Sequence, residues 1–296
     1  MEKYLPTIQK DVSLKDYTTF KVGGPAKYFF VARTKEDLIK AVKVAKKLKL
    51  PLFILGGGSK LLVSDKGFEG LVIKIQNSKF KIQNENSKGK IFCEAGILLS
   101  FLVSVAAKKS FTGLEWAIGI PGTAGGAIYG NAGAFGKSMA EIVKEVEAID
   151  IKNLKIKKLK NKECKFGYRD SIFKRKKNLI ILSVNLQLEK GDKKEIKKKI
   201  REYLKYRKET QPLNFPSAGS IFKNPSGFSA GELIEKCHLK GKRIGNAQIS
   251  KKHANFILNL GNAKAEDIEK LIKLAKKEVK NKFGIELKEE IQFLGF

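Results

Sequence analysis

The chain has 296 residues, of which 42% are hydrophobic and 19 are Phe, enough to bury a substantial core in two or three compact units and too many for a disordered chain. Its formal charge of +30 invites a nucleic-acid reading, yet 54 of the 60 basic residues are Lys, only six are Arg, and they are spread along most of the chain, densest over 152–177. Specific base and phosphate readout favours Arg forks, so the lysines read as a solvated surface with no specific nucleic-acid partner; their field can still attract an anionic, phosphate-bearing substrate.

Leu38, Ala41, Val42, Ala45 and Leu48 form one apolar helical face, opened by Thr34 with Asp37 in the first turn. Pro51 follows, then a short buried strand over 52–55 running into Gly56-Gly57-Gly58-Ser59, with Leu61-Leu62-Val63 as more strand or a buried turn. Residues 71–75 read as a further strand, and the polar segment 76–90 as a boundary or a hairpin. Beyond it come a strand over 91–95, an amphipathic helix over 98–109, a glycine-rich stretch over 120–136 and strands over 143–151 and 179–188. Ile196, Ile200 and Leu204 then repeat at four-residue spacing, which predicts a helix leading towards Pro212. Ser229 and Glu232 have capping-box spacing ahead of Leu233, residues 256–260 suit a strand, and 266–283 is a strongly amphipathic helix stopped by Gly284. A final strand is expected over 285–296, and the mixture is α+β.

Three widely separated cysteines (93, 164, 237) and two histidines (238, 253) suggest neither a disulfide framework nor a metal site. No apolar stretch approaches the roughly 20 residues that span a bilayer, and Met1 to Lys10 lacks the order of a signal peptide, so a cytoplasmic location without a membrane partner is expected. Gly56-Gly57-Gly58-Ser59 fails the Rossmann fingerprint, because Leu61 stands where the third glycine belongs and no helix follows. Residues 130–138 fail the Walker A spacing, with five residues between Gly130 and Gly136 instead of four. Ile120-Pro121-Gly122-Thr123-Ala124-Gly125-Gly126-Ala127 has almost no bulky side chains, so its backbone can approach an anion such as a pyrophosphate; tight loops of an irregular domain explain the same residues equally well.

Several segments in order carry a resemblance. They are Thr19-Phe20-Lys21-Val22-Gly23-Gly24-Pro25-Ala26, Gly56-Gly57-Gly58-Ser59-Lys60-Leu61-Leu62-Val63, and Gly113-Leu114-Glu115 leading to Ile120-Pro121-Gly122-Thr123. Then follow Asn131-Ala132-Gly133-Ala134, Tyr168-Arg169-Asp170-Ser171 and Gly219-Ser220-Ile221-Phe222-Lys223-Asn224-Pro225. Ser250-Lys251-Lys252-His253-Ala254-Asn255-Phe256 and Glu290-Ile291-Gln292-Phe293 complete the set. Over nearly its whole length the chain resembles the UDP-N-acetylenolpyruvoylglucosamine reductase (MurB) family, in the shorter form that lacks an extra substrate-domain loop.

The resemblance implies a vanillyl-alcohol-oxidase-like (PCMH-type) FAD-binding domain plus a smaller α+β substrate-binding domain. Residues 1–77, joined by the strand 286–296, and residues 78–208 would make the two FAD-binding subdomains, and 209–285 the substrate domain. It implies non-covalent FAD against Gly56, Gly57, Gly58, Ser59, Pro121, Gly122, Gly125, Gly126, Asn131 and Gly133, with no His among these loops for attachment. NADPH is the implied electron donor, a UDP-sugar the substrate, and a monomer the favoured state.

The implied reaction reduces an enolpyruvyl double bond and needs a charge to steady an enolate and a proton donor to quench it. Arg169 is the expected electrostatic stabiliser, Ser220 the proton donor and Glu290 the group that assists the enolate or orients the serine. Without the resemblance, Arg169 reads as a surface cation and Ser220 as a turn former. Tyr168, Lys223, Asn224 and Gln248 are weaker substrate-binding candidates, and His253 is as readily structural. The alternatives are another flavoenzyme of the same fold and a basic nucleic-acid-binding protein.

Overall fold

Strand Leu179–Lys190 is buried along most of its length, and this apolar run becomes the centre of an antiparallel sheet. The computed structural model describes residues 1–85 and 88–296. Their mixture of helices and largely antiparallel sheet bears out the α+β expectation.

The chain divides into two compact units, each assembled from several segments. The first comprises Met1–Gln9, Phe29–Gly57 and Gly70–Tyr206. Its main sheet has the order Lys155–Lys160, Val143–Asp150, Leu179–Lys190, Lys88–Glu94, Phe80–Glu85, with Phe111–Thr112 also paired to the long central strand. The segment 76–90, read as a boundary or hairpin, is the antiparallel hairpin of Phe80–Glu85 with Lys88–Glu94; residues 86 and 87 lie outside the described residues.

The edge strand Lys155–Lys160 is a correction to the sequence reading, which placed no strand in the lysine-dense region. Lysine is a poor strand former, but on an edge its charge discourages pairing with another chain. The hairpin that carries it is fastened by Lys157, which donates to Asp150 Oδ2 at 2.7 Å, while Asn178 Nδ2 donates to Oδ1 at 2.7 Å. Those two partners, Lys157 foremost, hold the Asp150 carboxyl down at about 2.

Helix Lys35–Lys47 begins at Thr34 as its spacing predicts. Asp37 N donates to Thr34 Oγ1 at 3.0 Å and Thr34 N donates to Asp37 Oδ2 at 3.0 Å, a complete capping box. The helix leads to strand Leu52–Leu55, which pairs in parallel with residues 71–74.

The second unit comprises Lys10–Tyr28, Gly58–Glu69 and Arg207–Phe296. Arg243–Ile244, Ala247–Ile249 and Ile257–Asn259 form a small antiparallel sheet. Helix Ala265–Phe283 buries Ile268, Leu271, Ile272, Ala275 and Val279 in a core with Phe20, Val22, Leu62 and Phe222, and ends at Gly284 with φ 69. Ser229 Oγ accepts from Glu232 N at 3.3 Å at the start of helix Ala230–Lys236. The C-terminal strand is shorter than expected, Gln292–Leu294, and pairs in parallel with Leu61–Val63. No helix among the described residues is long and apolar enough to cross a membrane.

Candidate active site

In the first unit, strand Leu52–Leu55 delivers Gly56 and Gly57 against residues 122 and 123. A Cβ on Gly57 would stand 2.6 Å from Gly122 Cα, and one on Gly56 2.7 Å from Thr123 Oγ1. The two glycine-rich segments therefore meet backbone to backbone, which only glycine allows at this spacing. Lys74 Nζ donates to Gly56 O, and burial pulls the Lys74 ammonium pKa down. Gly58 and Ser59 continue into the second unit, where Gly58 has φ 64 and a Cβ there would collide with Tyr17 O.

The sequence reading takes 120–136 as a glycine-rich stretch without a helix, whereas the structure holds a helix, Ala124–Tyr129, inside it. Adjacent glycines depress helix propensity, but Thr123 caps this helix, its Oγ1 accepting from Gly126 N at 3.3 Å. Gly125 packs on Ala95, where a Cβ would come within 2.8 Å of the Ala95 Cβ. The amides of Ala124 and Gly125 donate to Ile97 O and Ala95 O at 2.8 and 2.9 Å. Gly125 and Gly126 thus serve this region through the side chains they lack. Pro121 is exposed and Gly122, with φ 135, forms the turn.

Asn131 is buried, and both ends of its amide are engaged. Its Nδ2 donates to Gly167 O at 2.8 Å and its Oδ1 accepts from Ala140 N at 3.0 Å. Gly133 lies in the short hairpin of Gly133–Ala134 with Lys137–Ser138, and its carbonyl accepts from Arg169 Nη2 at 2.7 Å. Arg169 sits in a tight turn closed by bonds between Gly167 and Asp170, with φ 51, an uncommon conformation for a long side chain. Its guanidinium stands 5.2 Å from the exposed Tyr168 ring. The cradle of Gly56, Gly57, Gly122 and Gly126 presents backbone with no bulky side chain, which fits the close approach of an FAD pyrophosphate.

The second unit brings Ser220 and Glu290 together. Gly219, with φ 68, turns the chain into Ser220, which bridges to Phe256, and Ile221 N donates to Asn255 O at 2.8 Å. Asn255 is buried and pairs with the backbone of Phe222 in both directions. Its Nδ2 donates to Phe222 O at 2.9 Å, and Phe222 N donates to its Oδ1 at 2.9 Å. Orphaning either backbone group would cost about 1–3 kcal/mol, so Asn255 fixes the course of the serine loop.

Glu290 reaches the same loop through its backbone, its N donating to Ile221 O at 2.7 Å. It lies in the irregular segment ahead of the C-terminal strand, which corrects its expected place on the strand. Its Oε1 is 3.0 Å from Lys60 Nζ, which also donates to Ser220 O at 2.7 Å. Glu289 turns instead to Lys276, 2.7 Å away. The sequence reading quotes Lys60 only as part of the Gly56–Val63 segment and gives it no role.

The weaker candidates have structural engagements. Asn224 Oδ1 accepts from Ala230 N at 3.1 Å, Gln248 Nε2 donates to Gly241 O at 3.0 Å, and Lys223 is half-buried with its N donating to Lys288 O at 2.9 Å. His253 Nδ1 accepts from Asn255 N at 3.2 Å, and burial lowers the imidazole pKa, both marks of a neutral structural histidine.

Comparison with known proteins places both halves of the sequence. Residues 26–159 match the FAD binding domain family, and residues 211–294 match the UDP-N-acetylenolpyruvoylglucosamine reductase C-terminal domain. The UDP-N-acetylenolpyruvoylglucosamine reductase of Caldanaerobacter subterraneus is 47% identical over 95% of this chain and 92% of its own length. That of Caldicellulosiruptor saccharolyticus is 43% identical over 100% and 94%. The crystal structure of the Thermus caldophilus reductase superposes with a TM-score of 0.82 at 37% identity, covering 97% of this chain and 99% of that one. The chain belongs to the UDP-N-acetylenolpyruvoylglucosamine reductase family.

Proposed function

We propose that Ser220, Glu290 and Arg169 carry out the family's reaction in this chain, the reduction of UDP-N-acetylglucosamine enolpyruvate to UDP-N-acetylmuramate in peptidoglycan synthesis. FAD, when bound, relays two electrons from NADPH to the CH2 end of the enolpyruvyl double bond as a hydride. Ser220 Oγ then gives its proton to the α carbon, where the substrate carries enolate character. A hydroxyl is a weak acid, but an enolate is strongly basic, so placement governs this transfer more than acidity. Glu290 orients the serine. Arg169 keeps its charge at any working pH, and its fork matches the carboxylate on which the negative charge spreads.

The observation that carries the reading is the convergence of Ser220 and Glu290, distant in sequence, through the 2.7 Å bond from Glu290 N to Ile221 O. FAD is held without a covalent bond by Gly56, Gly57, Gly58, Ser59, Pro121, Gly122, Gly125, Gly126, Asn131 and Gly133. Cys93, two residues from the Ala95 on which Gly125 packs, is fully buried, and burial pushes its thiol up to about 12, which leaves it inert as an attachment point. Tyr168, Lys223, Asn224 and Gln248 bind the nucleotide sugar. The protein acts in the cytoplasm as a monomer, without a nucleic-acid or membrane partner.

Arg169→Gln tests the electrostatic role. It is expected to keep its flavin and lower kcat/KM for the enolpyruvyl substrate by about 10²–10³-fold. Unchanged kcat/KM would remove Arg169 from the reaction.

A further inference from the structure

We propose that Lys60 is a positioning residue for the proton-transfer step, acting through Ser220 and Glu290; this rests on the roles just assigned to those two residues. Its ammonium has two acceptors from segments far apart in the chain, Ser220 O at 2.7 Å and Glu290 Oε1 at 3.0 Å. The backbone from which the ammonium reaches is anchored in the sheet. Lys60 O accepts from Gln292 N at 2.8 Å, directly beside the parallel pairing of Leu61–Val63 with Gln292–Leu294.

The turn before the serine passes close to this contact: Gly219 has φ 68, and a Cβ there would stand at ordinary contact distance, 3.6 Å, from Lys60 Nζ. By holding the Ser220 carbonyl, Lys60 restrains the Ser220–Ile221 peptide plane and so steadies the backbone from which the hydroxyl projects.

The second contact acts on charge. The Glu290 side chain is only 13% exposed, so water screens its carboxylate poorly. With Lys60 removed, the Glu290 carboxylate would be less well balanced and would repel the negative charge that develops on the substrate. Lys60 offsets that charge and fixes the carboxylate oxygen with a charge-assisted bond. One cation thereby sets both the donor's orientation and the local charge balance, without itself touching the substrate.

The test compares the two half-reactions in the FAD-loaded enzyme, followed anaerobically by flavin absorbance. Lys60→Met is expected to retain flavin, melting temperature and the rate of reduction by NADPH. Its reoxidation by saturating UDP-N-acetylglucosamine enolpyruvate should slow about 10–100-fold, with little change in half-saturation and a larger solvent deuterium isotope effect. Lys60→Arg, which keeps the charge and several donors, should recover most of the rate. Adding Lys60→Met to Glu290→Gln should slow reoxidation far less than the product of the single effects, because both changes break one interaction.

Fully multiplicative effects would overturn the inference, since Lys60 would then act independently of Glu290. So would equal slowing of both half-reactions with a lower melting temperature, the signature of a merely structural lysine. Ser220→Ala separates the two levels of the account. If it reoxidises normally, the serine's role fails and the lysine's with it; if it is slow while Lys60→Met is normal, only the lysine's role is rejected.

Discussion

Ser220→Ala is expected to bind FAD and accept electrons from NADPH at the wild-type rate, yet lose about 10²–10⁴-fold in the reduction of the enolpyruvyl substrate. The substitution removes one oxygen from a loop whose course is set by other groups. Ile221 N is bonded to Asn255 O, Phe222 is paired in both directions with the Asn255 amide, and Glu290 N is bonded to Ile221 O. None of these contacts uses Ser220 Oγ, so the loop should keep its shape and the loss should fall on proton transfer alone. Rapid-mixing measurement of both half-reactions checks this. Normal reoxidation by substrate would mean that another group supplies the proton.

Gly57→Val should produce folded protein without its flavin. The first carbon of the new side chain would lie 2.6 Å from Gly122 Cα, and its neighbour there is backbone, which cannot swing aside. Separating the two loops costs about 1–3 kcal/mol, tolerable for the fold, but it displaces the surface proposed to receive the pyrophosphate. Gly126→Ala provides the contrast. Its Cβ would meet only Thr123 Oγ1 at 3.5 Å, and alanine is the better helix former by about 1 kcal/mol. It should therefore preserve or raise the melting temperature of the apoprotein while weakening flavin binding. Absorbance at the flavin band against protein concentration, with circular dichroism for folding, decides the matter. A fully yellow Gly57→Val would show that the loop contact does not shape the flavin site.

The elements legible in the sequence were those whose burial imposes a period. Lys35–Lys47 and Ala265–Phe283 show their buried faces at helical spacing, and the central strand Leu179–Lys190 shows as an apolar run. The edge strand Lys155–Lys160 is exposed almost throughout, so no burial pattern betrays it, and it exists through its pairing with Val143–Asp150. Helix Ala124–Tyr129 was hidden because glycine's low propensity was overridden by a cap and by close packing on Ala95. Two of the passages between the units were equally hidden: those inside strand Pro25–Ala32 and between the adjacent glycines 57 and 58 have no shift in composition to mark them.

The candidate site was legible through motifs more than through physics. Spacing could not distinguish Glu290 from Glu289, whereas the structure turns one towards Lys60 and the other towards Lys276. Lys60 itself could not be read from local sequence, because both its acceptors lie far along the chain and meet it only in the folded unit.

The most direct test of the account is an anaerobic titration of the purified protein. NADPH should bleach the flavin, and UDP-N-acetylglucosamine enolpyruvate, added without oxygen, should restore its colour in a one-to-one ratio. A bleached flavin that regained its colour only on admission of oxygen would contradict the proposed reaction.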